Sequence, residues 1–245
     1  MSDGSTPPSG MRARLMAALP PWLHTELRRR KVLWGTLRRT DPISRHWGFD
    51  RGTPVDRFFI ERFLAAHSAD VRGRVLEIKD DGYARRFGGD RVEHLDILDI
   101  DPTNPLATII GDLNDPSLLA GRGYNCIILT QTLQLVYDLE SALAGLRDGL
   151  APGGVILATM PGITRISYKD MEGTWFWGFS ILSAARLFGD AFGPERVEVG
   201  VDGNLVAAIA FLHGLSAEEL RPYELQEKDL DYQLVISVRA RKAAE

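Results

Sequence analysis

Apolar positions along the chain recur with two different periods, and the change from one to the other falls near residue 74. Before it, Leu15, Met16 and Leu19, then Leu23, Leu27, Val32, Leu33 and Leu37, return at roughly helical spacing, interrupted at Pro20-Pro21, so two helices are expected. Residues 1–10 are rich in Ser, Pro and Gly and have little to bury; a disordered tail is expected there. Asp56–Ala66 reads as a better helix, because Phe58, Phe59, Phe63 and Leu64 repeat on one face behind Thr53-Pro54, an N-cap and first-turn pair. From Arg74 the pattern becomes short apolar runs alternating with helical stretches, as βαβ units require. The runs Arg74–Ile78, His94–Ile100, Ala107–Ile110, Cys126–Thr130 and Val155–Met160 are candidate strands. Leu139–Leu150 is a helix stopped by Ala151-Pro152-Gly153-Gly154. Arg196–Val199 and Tyr232–Val238 alternate like strands, with a helical Leu205–Leu212 between them.

These elements imply an α/β protein: a Rossmann-like, doubly wound, mostly parallel sheet with a final antiparallel strand, preceded by an N-terminal helical extension. The expected divisions are a disordered tail (1–10), a basic helical extension (11–45) and a single domain (46–245). With 245 residues, 44% hydrophobic and 25% charged, one sizeable core accounts for the length.

Charge changes the picture of the extension. Residues 11–45 hold nine Arg or Lys against Glu26 and Asp41, a net of +7; with Asp3 in the tail and −4 overall, residues 46–245 carry −10. A basic arm precedes an acidic domain. The arm reads either as a solvated helical face docking on the acidic body, or as the binding site of an anionic partner such as a membrane surface or a phosphorylated substrate. A nucleic-acid partner is not expected, because the acidic body repels phosphates. No apolar run reaches the roughly 20 residues of a bilayer span, and the start has no signal-peptide core, so a cytoplasmic protein without a transmembrane segment is expected. The single cysteine, Cys126, lies inside an apolar run and reads as core. His24, His46, His67, His94 and His213 show no metal-ligand spacing, so no metal is expected. His46 is the best catalytic-base candidate among them, against the commoner fate of packing beside the next segment.

Several motifs occur in a telling order: Val75-Leu76-Glu77-Ile78, Gly111-Asp112-Leu113, Tyr124 through Leu133, and Leu150-Ala151-Pro152-Gly153-Gly154. In that order and spacing they resemble the class I S-adenosylmethionine-dependent methyltransferases over about residues 50–240, and Trp47 through Arg57 further resembles a bacterial methyltransferase-domain subgroup. The resemblance implies S-adenosylmethionine as cofactor and a small-molecule acceptor, a sugar or natural-product intermediate in biosynthesis, methylated on oxygen or nitrogen. It implies cofactor contacts from Glu77, from Asp99 or Asp101 to the ribose hydroxyls, from Asp112 and the Leu113 amide to adenine, and from Thr130 and Gln131 along the methionine side. It places Arg51, Trp175 and Trp177 on the acceptor side, the tryptophans either stacking on a ring or packing beneath a lid.

The chain departs from the family where three glycines let the backbone approach the cofactor, for Lys79, Asp81 and Tyr83 occupy those places and Gly82 is out of register. Lys79 has three readings: pairing with the methionine carboxylate, reaching Asp99 or Asp101 and filling the cofactor space, or lying on the surface of a remodelled loop. The alternative function is a methyltransferase-fold protein that has lost methyl transfer and acts as a binding partner or cofactor-independent catalyst.

Overall fold

The computed structural model describes Pro20, residues 35–167 and residues 173–244. The chain divides into two units, Met1–Asp41 and Pro42–Glu245. In the first, a 3-10 turn over Gly35–Leu37 is the described element; the tail and the expected helices up to residue 34 lie outside the described residues. No described helix is long and apolar enough to cross a membrane.

The second unit is built on seven strands: β1 (Gly73–Ile78), β2 (Val92–Asp99), β3 (Ile109–Ile110), β4 (Tyr124–Thr130), β5 (Leu150–Pro161), β6 (Val197–Asp202) and β7 (Val235–Arg241). Their order across the sheet is β3-β2-β1-β4-β5-β7-β6. The first five run parallel, and β7 lies antiparallel to both β5 and β6. Chain order therefore reverses between β1 and β4, the point at which an open sheet leaves a crevice beyond its strand ends.

Among the described residues five α-helices accompany the sheet: α1 (Val55–Ala66), α2 (Leu139–Gly149), α3 (Ile181–Phe192), α4 (Leu205–His213) and α5 (Pro222–Gln226). On one face Leu76, Ile127 and Leu129 pack with Leu143 and Leu146 of α2 and Phe188 of α3. On the other, Val75, Cys126 and Ile128 pack with Phe59 and Phe63 of α1 and Phe211 of α4. The period-2 alternation of β4 thus supplies both layers, which is why its run is apolar throughout.

The expected parallel core with its antiparallel close is present, with three local differences. β3 is two residues long, because the Thr108 hydroxyl takes the Ile97 amide at 2.9 Å that a longer β3 would bond through its backbone. No helix crosses from β2 to β3 or from β3 to β4, and one π-helical turn, Ala84–Gly88, lies between β1 and β2. α3 was not anticipated; the Ser180 capping box that starts it and the apolar face of Ala184, Phe188 and Phe192 were present in the sequence. Pro54, with no side-chain cap bond, occupies the N-cap position of α1. Thr53 is instead bonded to residues far along the chain, accepting from the Ala217 amide at 2.7 Å and donating its own amide to Glu218 at 2.9 Å.

Candidate functional site

The ends of β1 to β5 and β7 open into one cavity of about 510 Å³, within the range of small-molecule sites. Every residue expected at the cofactor lines it: Glu77, Lys79, Asp99, Asp101, Asp112, Leu113, Thr130 and Gln131. Trp175 lines it too. Three expected residues are not among its walls. His46 is exposed. Arg51 is paired with Glu219, its Nε 2.9 Å from the carboxylate, and Trp177 donates its indole N–H to the Val136 carbonyl at 2.9 Å.

The turn after β1 decides the cavity's floor. Lys79 has φ +74°, the left-handed region that glycine enters freely and a lysine enters at a cost. It is held there from both sides: its amide donates to the Leu98 carbonyl at 2.9 Å, and its carbonyl accepts from Asn104 Nδ2 at 2.7 Å. Asn104 also donates to Asp99 Oδ2 at 2.6 Å, which ties the β1 turn to the β2 turn. A lysine therefore stands in a backbone conformation that glycine enters freely. The Lys79 side chain is exposed and makes no ion pair with Asp99, Asp101 or any other described residue. Gln131, at the end of β4, is also left-handed (φ 48°) and is likewise pinned, donating to Thr159 O at 2.8 Å and accepting from Gln134 Nε2 at 2.7 Å. Trp47 is the third non-glycine residue with positive φ among the described residues, at 60°, and it too lines the cavity. Strain of this kind persists where surrounding bonds over-determine it, commonly at binding sites.

Glu77 is 3% exposed and accepts the amides of Tyr83 at 3.0 Å and Ala84 at 2.7 Å. Burial pushes its carboxyl up to about 7, with Asp80 and Asp81 adding to the rise and the two amide bonds opposing it. The other carboxylates are arranged by turns. Asp101 accepts the Thr103 amide at 2.8 Å and hydroxyl at 2.7 Å, which lowers its pKa. Asp112 holds Asn114 through amide and side chain at 2.9 and 2.8 Å, and the next amide, Leu113 N–H, bonds to no other described residue.

Asp56 and Arg57 line the cavity too, read in the sequence as the start of a helix and the end of the Trp47–Arg57 segment. Arg57 donates to the Tyr83 hydroxyl and lies over the rings of Phe49 and Tyr83, 5.9 and 5.6 Å from their centroids. Asp56 accepts the Arg57 amide at 2.8 Å; although the residue is partly exposed, its carboxyl group is enclosed, and that burial raises its pKa. Both are set in place by the Trp47–Pro54 segment. Gly48 (φ +95°) passes so close to the Leu215 carbonyl that an added Cβ would lie 2.7 Å from it, and Arg51 and Thr53 grip Glu219 and Glu218. Burial opposes, but the Arg51 bond holds the Glu219 carboxyl at about 2. These are contacts between residues more than 160 positions apart, for which the sequence carries no local signal.

No protein-family model matches the chain, and no curated protein matches it. Solved structures do resemble it. A SAM-dependent methyltransferase from Archaeoglobus fulgidus superposes with TM-score 0.52 at 12% identity, over 76% of this chain and 93% of that one. An S-adenosylmethionine-dependent methyltransferase from Mesorhizobium loti gives 0.52 at 15%, over 80% and 100%. A (4+2)-cyclase, SpnF, gives 0.52 at 11%, over 80% and 85%. At these identities the likeness establishes the fold, which is that of the S-adenosylmethionine-dependent methyltransferases.

Proposed function

We propose that this protein is an S-adenosylmethionine-dependent methyltransferase acting on an oxygen or nitrogen of a small acceptor, such as a sugar or a natural-product intermediate. The observation that carries the reading is the conformation at Lys79. The backbone keeps the glycine-like turn despite the side chain, and the cavity above it stays open from Asp112 after β3 to Gln131 after β4. The residues present fit the cofactor: Asp112 and the unbonded Leu113 amide suit adenine, Asp99 and Asp101 suit the ribose hydroxyls, and Glu77, Thr130 and Gln131 flank the methionine side. The lining is acidic, with Asp56, Glu77, Asp80, Asp99, Asp101 and Asp112 against Arg57 and Lys79, a balance that suits a sulfonium cation.

When bound, S-adenosylmethionine supplies an electrophilic methyl group. The chain's part is positioning and proton removal. Trp47, Phe211, Leu234 and Val235 form an apolar wall where the cavity reaches β7, and with Trp175 they hold the acceptor and exclude water. Asp56, enclosed and bonded to one amide, takes the proton that the acceptor oxygen or nitrogen loses on methylation. In this reading Asp56 stands in the role for which His46 was the sequence candidate, because Asp56 is in the cavity wall and His46 is not. Calorimetric titration with S-adenosylhomocysteine tests the proposal: saturable one-to-one binding is expected, and no binding would overturn it. That failure would favour the second reading, a protein of this fold without methyl transfer, for which the chemistry of the cyclase neighbour is a precedent.

A further inference from the structure

The turn after β1 has spent its backbone donors except Asp81 N–H. Lys79 N–H goes to Leu98 O and Asp80 N–H to Ile78 O; Gly82 N–H goes to Asp80 Oδ1; Tyr83 and Ala84 N–H both go to Glu77. In a loop of this kind the free amides are what an anionic group would meet, and here five of the six face inward onto carboxylates and carbonyls, leaving the single amide of Asp81. The amino-acid end of the cofactor carries one ammonium and one carboxylate. The ammonium has six carboxylates in the wall to choose from, but the carboxylate has two cations, Arg57 and Lys79. Arg57 is taken up by the Tyr83 hydroxyl and two aromatic rings. The Lys79 ammonium forms no ion pair with a described residue, its electrostatic neighbour being the exposed Asp101, whose carboxyl it helps to hold low. Lys79, just past β1, and Thr130, at the end of the neighbouring β4, line the same cavity, on the side the methionine moiety would occupy.

We infer that Lys79 is the anchor for the α-carboxylate of the bound amino-acid moiety, a side-chain cation doing what free amides do in a glycine-rich turn. The inference rests on the methyltransferase reading and adds a specificity-determining residue to it. Its chemistry is a charge-assisted hydrogen bond in a partly enclosed site, strong enough to decide affinity for the carboxylate-bearing ligand.

The test compares S-adenosylhomocysteine with its decarboxylated analogue, which keeps the nucleoside, the thioether and the ammonium, by calorimetry on the full chain. The natural protein is expected to bind S-adenosylhomocysteine about ten- to a hundred-fold tighter than the analogue. Lys79→Met is expected to abolish that preference while holding the analogue within about twofold. Lys79→Gly should lose the preference too, and glycine accepts φ +74° freely, so this variant has no backbone reason to unfold. A preference that survives in both variants overturns the inference and leaves the methyltransferase reading standing. So does loss of both ligands in parallel, which would make Lys79 structural. Equal affinity of the natural protein for the two ligands overturns it as well, whereas binding of neither overturns the methyltransferase reading and this inference together.

Discussion

The two flanks of the sheet are built to different standards. From β4 through β5 to β7 the strands are buried on both faces, and Ile127 at the centre has no exposed surface. On the β2–β3 side, two connections carry no helix and β3 is two residues long; Ile100 and Ile110 are 68% and 46% exposed. The well-packed flank carries the apolar end of the cavity, and the thin flank carries Asp99, Asp101 and Asp112, each oriented by bonds within its own turn. The contrast separates two tasks. In the proposed function the well-packed half would set the acceptor against Asp56, and the thinly covered half would meet the nucleotide through its loops.

Truncation should break the symmetry between the flanks most visibly. Ile127→Ala is expected to cost about 2–5 kcal/mol in denaturant unfolding, and Ile110→Ala less than about 0.5 kcal/mol. Comparable losses would show that the thin flank is as well packed as the other. Next in size, Asp56→Asn should lower methyl transfer from labelled S-adenosylmethionine to a mixture of small hydroxyl and amine acceptors by about a hundred-fold, with S-adenosylhomocysteine affinity unchanged. A loss of affinity instead would move Asp56 from the acceptor end to the donor end.

The Glu77 carboxyl sharpens the comparison through pH. Its folded value of about 7 lies above its ordinary 4.5, so between those values the folded state binds more protons than the unfolded one. Its contribution to stability is therefore greatest below pH 4.5 and falls as pH rises through about 7. Asp56, raised by burial, acts in the same direction. Asp96, drawn down to about 2 by bonds from Arg74, Tyr124 and Thr108 that outweigh its burial, acts oppositely and only in acid. Melting temperature is thus expected to decline from pH 5 to pH 8, and Glu77→Gln to flatten the decline whatever its offset. An unchanged slope would assign the titration elsewhere. The smallest effect is at Lys79, where glycine should stabilise the fold by up to about 1 kcal/mol through relief of the left-handed strain. Unfolding curves check the sign, which is opposite to the expected loss of ligand affinity.

Much of the fold was legible because burial on two faces forces apolar runs at strand length, as in Cys126–Thr130, and burial on one face forces helical spacing, as in Asp56–Ala66. The candidate cofactor residues were legible for a related reason: they sit at the ends of those strands, so topology carried them to one cavity. Of the proposed acceptor end, Trp175 was legible and the rest was not. Asp56 and Arg57 read as a helix start, and Arg51 as an acceptor contact, because nothing local says which way the first turn of α1 points.

The sequence by itself determined the strand and helix periods, the order of the motifs and the lysine at the glycine place, since each is a property of neighbouring residues. Only the tertiary structure decided what that lysine's backbone does and what the helix start faces. Lys79 stays left-handed because Leu98 and Asn104, on another strand and its loop, hold its peptide groups. Asp56 faces the cavity because Glu218 and Glu219, more than 160 residues away, clamp the segment before it. Bonds between distant residues form only when the chain has closed on itself, so no window of sequence contains them.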